Sequence, residues 1–166
     1  ISELERIGIT CVNSRTTIQI CADKYRSYVR LKDFRLDQPK SVLVPTEEDI
    51  DSALEELDTK FPIILKTLRG AGGVGVIFVE SKRALDSLVQ LIYKQNKDAD
   101  ILIQEYIKTD SDVRVVIAGS DVIGTMEREV VEGDFGSNYT QGAGVKSYDL
   151  SEEEIRQCLI AAKAVE

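Results

Sequence analysis

The chain has 166 residues, 43% apolar and 30% charged, with no Trp and little Pro. That is an ordinary globular composition, enough for one compact domain or two small lobes and without the apolar run of roughly 20 residues that a membrane span needs. Twenty-one basic against twenty-nine acidic residues give a net charge of −8, which argues against a general nucleic-acid-binding surface but leaves room for local positive sites. There is no His, so mechanisms that need an imidazole base or ligand are excluded. Cys11, Cys21 and Cys158 are scattered and odd in number. They suggest neither a zinc site nor a disulfide framework and fit a reducing cytoplasm.

The sequence opens at Ile1 inside what reads as structured chain, with neither an initiator Met nor a signal segment, and is therefore read as a fragment of a longer protein. A first helical pattern covers Ile18, Cys21, Ala22, Tyr25 and Val29 and places Lys24 and Arg26 towards its other side. A β-rich run follows at 41–44. Thr46 then caps a helix whose apolar face is Ile50, Leu54 and Leu57. Two more β runs, 61–66 and 74–79, precede a helix capped by Ser81 with Leu85, Leu88, Val89 and Ile92 on one face. Strands are expected at 101–106, 113–118 and 122–128, the last two joined as a hairpin at Gly119-Ser120-Asp121. Residues 132–144 read as a long Gly-, Ser-, Asn- and Asp-containing loop. Ser151 with Glu154 forms a capping box before Ile155, Cys158, Leu159 and Ala162. Intermingled strands and helices with an antiparallel hairpin define an α+β, or mixed α/β, class.

The stretch from Lys66 to Val76 contains Gly70, Gly72, Gly73 and Gly75 and matches G-x-G-x-x-G, but its context is wrong for a dinucleotide fold. That fingerprint needs a helix directly after the loop, whereas Val76 to Val79 is a β run. No Lys-Ser/Thr pair follows the glycines, which excludes a P-loop, and the histidine that opens a protein kinase's catalytic loop is absent. What remains is a hairpin tip whose glycines let backbone N–H groups approach phosphate oxygens, with Lys66 as a point charge on the strand leading in. A hairpin without a ligand is the plain alternative. A loop that closes over phosphates would keep water from an activated intermediate and reopen to release product.

Asp23-Lys24-Tyr25-Arg26-Ser27, Phe61 to Lys66, Gly70 to Val76, Gln104-Glu105-Tyr106-Ile107-Lys108, Asp112-Val113-Arg114 and Gly133-Asp134-Phe135-Gly136-Ser137-Asn138, in that order, resemble the ATP-grasp superfamily and within it the RimK-type ligases. The resemblance runs from about Asn13 to the end. It implies an ATP-dependent carboxylate–amine ligase that adds an amino acid such as glutamate through an acyl phosphate; the partners would be an amino-acid acceptor and a carboxylate, a ribosomal-protein C-terminus being one such substrate. It divides the chain into 1–45, a linker and the start of the unit; 46–107, a lid subdomain; and 108–166, part of a central subdomain.

Carried over by residue, the resemblance implies that Lys24 and Lys66 contact phosphates and that Gly70, Gly72, Gly73 and Gly75 cover them. Gln104, Glu105, Tyr106 and Ile107 would receive adenine through backbone groups and an apolar slot, and Asp112 the ribose hydroxyls. Ser137 and Asn138 would lie near the γ-phosphate, and Arg114 and Arg128 would face phosphate or the activated carboxylate as catalytic groups. Taken alone, Lys24 reads as a solvated helix lysine, and only the Asp-Lys-x-Arg-Ser context changes that; for Arg128 a surface ion pair beside Glu127 and Glu129 is the plain alternative.

Two departures stand out. The metal-binding Asp and Glu-x-Asn of the family follow the helix that begins at Ser151; no Glu-x-Asn occurs here, so the ligands of Mg2+ or Mn2+ are expected beyond residue 166 and this stretch alone is expected not to turn over. Gly136 and Gln141 stand where RimK-type loops carry cations, which leaves open a different acceptor or a non-catalytic ATP-binding module. Neither membrane nor direct nucleic-acid contact is expected, and a homo-oligomer is left open.

Overall fold

The computed structural model describes residues 1–69, 75–130 and 144–166. It divides into two compact units: residues 22–29 with 37–107, and residues 1–21 with 30–36 and 108–166.

The first unit is built on a four-stranded antiparallel sheet. Its strands are β1 (Ser41–Val44), β2 (Ile63–Thr67), β3 (Val76–Val79) and β4 (Ile101–Glu105), in spatial order β1-β4-β2-β3. Strand alternation turns Val42, Val44, Ile63, Leu65, Val79, Ile101 and Ile103 to one face, where they form the core with Ile50, Ala53 and Leu57 of one helix and Leu85, Val89 and Tyr93 of another. The Tyr93 hydroxyl donates to the Val44 carbonyl at 2.7 Å, so its one polar atom is satisfied inside that core.

One covering helix starts at its predicted cap, Ser81, whereas Thr46 heads a 3-10 turn and Asp49 is the N-cap of the other helix. Thr46 and Asp49 pair, with the Thr46 N–H and hydroxyl donating to Asp49 Oδ2 at 3.1 and 2.8 Å, and hold a short 3-10 turn, Glu47–Asp49. The turn runs directly into the helix Ile50–Leu57, which stops at left-handed Asp58 (φ 48°). The helix Lys82–Gln95 is capped by Ser81 Oγ, which accepts from Ala84 N at 3.3 Å.

The expected single helix through Ile18 to Val29 is two, Arg15–Cys21 and Lys24–Asp33. Asp23 is the reason. Its Oδ1 accepts from Tyr25 N at 3.1 Å and Arg26 N at 3.0 Å, satisfying two otherwise orphaned N–H groups, so a new helix starts there although the apolar spacing runs on. Lys24 thereby becomes the first residue of a helix instead of one on the flank of a longer one.

The second unit carries a three-stranded antiparallel sheet, β5 (Ser111–Ala118), β6 (Asp121–Glu129) and β7 (Val145–Lys146), in sequence order. Gly119, at φ +61°, takes the first central position of the two-residue β5–β6 turn, where a positive φ favours glycine. The helix Glu152–Val165 begins at the predicted capping box: Glu154 N donates to Ser151 Oγ at 3.3 Å and Ser151 N to Glu154 Oε2 at 2.7 Å. The short helix Ser2–Arg6 belongs to this unit as well. No helix among the described residues is long and apolar enough to cross a membrane.

Candidate nucleotide site

The alternation that sends Ile63 and Leu65 into the core sends Lys66 to the opposite face of the first unit's sheet. Register places Lys66 opposite Leu102, Ile64 opposite both Phe78 and Gln104, and Ser41 opposite Gln104. The result is an apolar floor interrupted by three polar side chains, and these are joined. Lys66 Nζ donates to Gln104 Oε1 at 2.5 Å, Gln104 Nε2 donates to Ser41 Oγ at 2.6 Å, and Ser41 Oγ donates to the Pro39 carbonyl at 3.0 Å.

Lys24, distant in sequence, reaches the end of the same strand. Its Nζ donates to Thr67 O at 2.9 Å and Leu68 O at 3.4 Å, and its backbone N–H also donates to Leu68 O at 3.2 Å. Burial, and then the nearby Lys24 charge, push the Lys66 ammonium below the ordinary lysine value of 10.5. The acceptors of both lysines are neutral oxygens. None of the ion pairs among the described residues involves either lysine.

Gly75 closes the base of the β2–β3 hairpin. Its carbonyl accepts from Thr67 N at 2.9 Å, its φ is +79°, and a Cβ there would collide with Thr67 Oγ1, so glycine is required on two counts. Gly70, Gly72, Gly73 and Val74 lie outside the described residues, as do Gly136, Ser137, Asn138 and Gln141 of the later loop.

At the end of β4, Glu105 is tied to Lys40: its N–H donates to Lys40 O at 3.0 Å and its Oε1 accepts from Lys40 N at 2.7 Å. Tyr106 packs edge-to-face on Phe78 at 5.0 Å between ring centroids, and Ile107 is exposed. The sequence reading missed the side-chain roles of Ser41 and Gln104. The available signal was that each, like Lys66, interrupts an otherwise apolar strand.

In the second unit, Asp112, Arg114, Met126 and Arg128 alternate onto one face of β5–β6. Asp112 stands directly opposite Arg128. The pair is bidentate, with Arg128 Nε donating to Oδ1 at 2.8 Å and a terminal nitrogen to Oδ2 at 2.7 Å, and these bonds hold the guanidinium above its usual value. Arg128 is therefore an ion-pair partner, but of Asp112. Glu127 accepts from Ser111 Oγ at 2.6 Å, and Glu129 pairs with Lys146 at 2.5 Å. Arg114 is exposed and lines, with Met126, Arg128 and Val145, a depression of about 420 Å³. Among the described residues no group of three or more Asp, Glu, Cys or His side chains converges as a metal site would require.

This arrangement of strands and helices is the ATP-grasp fold. It superimposes on D-alanine–D-alanine ligase from Bacillus anthracis complexed with ATP with a TM-score of 0.75 and 21% identity, over 99% of this chain and 53% of that one. It also matches the ATP-grasp ligase PsnB complexed with its minimal precursor, with a TM-score of 0.68 and 24% identity, over 97% and 49% of the two chains. The profile of the RimK-like ATP-grasp domain matches residues 21–166, and the chain belongs to that family. A probable alpha-L-glutamate ligase of Coxiella burnetii is 32% identical over 167 aligned residues, and one of Shewanella loihica is 30% identical; each alignment takes in 99% of this chain. The chain spans 54% of the length of either relative.

Proposed function

We propose that this domain binds ATP and serves an ATP-dependent carboxylate–amine ligase of the glutamate-adding kind. The observation that carries the reading is the convergence of Lys24 and Lys66, far apart in sequence, onto the end of one strand with neutral acceptors only. Two cations held close without a carboxylate are electrostatically incomplete, and a polyphosphate supplies the missing charge. Tyr106 and Ile107 offer backbone and apolar surface for adenine where Glu105 is already tied to Lys40. Asp112 is assigned to the ribose diol, and Gly70, Gly72, Gly73, Gly75, Ser137 and Asn138 to the phosphates.

In the reaction, a substrate carboxylate oxygen attacks the γ-phosphorus and ADP leaves. The amine nitrogen of the amino acid then attacks the acyl carbon and loses a proton, and inorganic phosphate departs as the amide forms. Lys24 and Lys66 stabilise charge on the phosphates, and Arg114 and Arg128 charge on the acyl phosphate. The described residues do not fit a divalent cation. Mg2+ or Mn2+ belongs to the proposed reaction of the whole protein, where it would supply charge neutralisation on the phosphates.

The occupied state of Arg128 favours a second reading, an ATP-binding module that does not ligate, because the fork that would meet an acyl phosphate is already closed on Asp112. Two measurements separate the readings. Calorimetric titration of ATP should give binding that Lys66→Ala weakens by about tenfold or more, the loss of a hydrogen bond to a charged group; equal affinity in the two proteins would overturn the nucleotide assignment. In the full-length protein, ADP release that depends on both a carboxylate and glutamate then supports the ligase, and ATP binding without such release supports the module.

A further inference from the structure

We propose that Gln104 and Ser41 are positioning residues that aim the Lys66 ammonium at the nucleotide phosphates without neutralising it. The inference rests on the nucleotide reading above; it gives a side-chain role to Gln104, which the resemblance engaged at adenine through its backbone, and to Ser41, which the resemblance did not single out.

The direction of the hydrogen bonds carries the argument. Pro39 offers only a carbonyl there, so the Ser41 hydroxyl proton is committed to it, at 3.0 Å. Ser41 Oγ can then only accept from the Gln104 amide. That amide must present its nitrogen, at 2.6 Å, and turn its oxygen to Lys66, at 2.5 Å. The opposite amide orientation would set N–H donors against the ammonium and the amide oxygen against the lone pairs of a Ser41 hydroxyl whose proton is already given to Pro39. Backbone at Pro39 thus fixes, through two side chains, where Lys66 points.

Burial makes the arrangement stiff. Ser41 is 7% exposed and is the one buried polar residue among those described, yet no buried side-chain polar atom among them is left without a partner. An apolar residue would fill the first position of β1 without needing a hydrogen bond. A lysine beside another lysine would otherwise swing its flexible stem into water, away from Lys24. Gln104 gives it a reason to stay. A neutral amide does this and leaves the full positive charge available, whereas a carboxylate at the same place would pair with Lys66 and compete with phosphate. Lys66 has three N–H donors and gives one to Gln104, which leaves donors for phosphate oxygens.

The test compares ATP with adenosine, which shares the base and sugar but has no phosphate, by titration into the full-length protein carrying Gln104→Met, Ser41→Ala or, as a reference, Lys66→Ala. Gln104→Met should weaken ATP about tenfold and Ser41→Ala several-fold, with adenosine affinity and melting temperature nearly unchanged. If both leave ATP affinity within about twofold of the parent while Lys66→Ala lowers it strongly, the positioning role is overturned and the nucleotide reading stands. A parallel loss of ATP and adenosine affinity would also overturn it, by showing that the two residues only support the strand. If Lys66→Ala changes nothing, the nucleotide reading itself fails. Ser41→Ala removes one atom and keeps the comparison open should Gln104→Met fold poorly.

Discussion

The two sheets hold their cations in opposite ways. In the first unit Val44, Ile63, Leu65, Ile101 and Ile103 are fully buried beneath two helices, and Lys66 projects from the far face of that rigid sheet onto a neutral amide. In the second unit no residue of β5, β6 or β7 is buried, Val113, Val116 and Ile123 are exposed, and Arg128 is closed on a carboxylate. Burial with a neutral acceptor leaves a charge uncompensated and dependent on a ligand. Pairing on an open sheet compensates it in advance, so a ligand must displace Asp112 to use it.

The largest expected effect probes the rigidity of the first sheet. Leu65→Ala should cost about 2–5 kcal/mol, because the side chain is wholly enclosed and leaves a cavity. Val116→Ala, at a site 40% exposed, should cost under about 1 kcal/mol. Chemical denaturation of both variants measures the contrast, and equal losses would show that the open sheet is as tightly packed as the covered one.

The next effect is a slope with pH. The folded-state pKa of Lys66 lies below its unfolded value of 10.5, so between the two the unfolded chain binds more protons. The Lys66 contribution to stability therefore rises as pH climbs through the lowered pKa towards 10.5. ATP affinity should run the other way, falling as the ammonium deprotonates. Denaturation and ATP titrations across the alkaline range, parent against Lys66→Met, isolate both trends, since the variant shares every other titrating group. Parallel curves for the two proteins would mean that Lys66 titrates as it does in water.

Most of the fold was legible because it is written locally. The Ser81 cap and the Ser151–Glu154 box each specify a helix start within four residues, and Gly119 specifies a turn. The strand Ser41–Val44 coincides with the β-rich run expected there. The helix break at Asp23 was hidden because apolar spacing continues across it, and a cap outweighs spacing only when its hydrogen bonds are made. The strand order β1-β4-β2-β3 depends on pairings between segments distant in sequence, such as Ser41 with Gln104 and Ile63 with Glu105, which periodicity does not encode. Within the site, Lys66 stood out beside its glycines, whereas the Gln104–Ser41 link needed the register between β1 and β4 to be known first. Asp112 and Arg128 were both singled out, but their mutual pairing needed the register between β5 and β6.

The smallest effect concerns that pairing. The Arg128 side chain is 23% exposed and that of Asp112 is 40% exposed, so solvent screens the pair and its bidentate geometry contributes about 0.5–1 kcal/mol. Arg128→Lys keeps the charge and loses the fork, and should lower stability by no more than that in a denaturation experiment. A loss of several kcal/mol would mean that the pair behaves as a buried one, and the contrast between the two sheets would then fail. The modest figure is what the proposed chemistry requires. A planar guanidinium that lets go of Asp112 at small cost can turn the same two donors to a substrate carboxylate or its acyl phosphate, and a lysine there would offer a charge without that geometry.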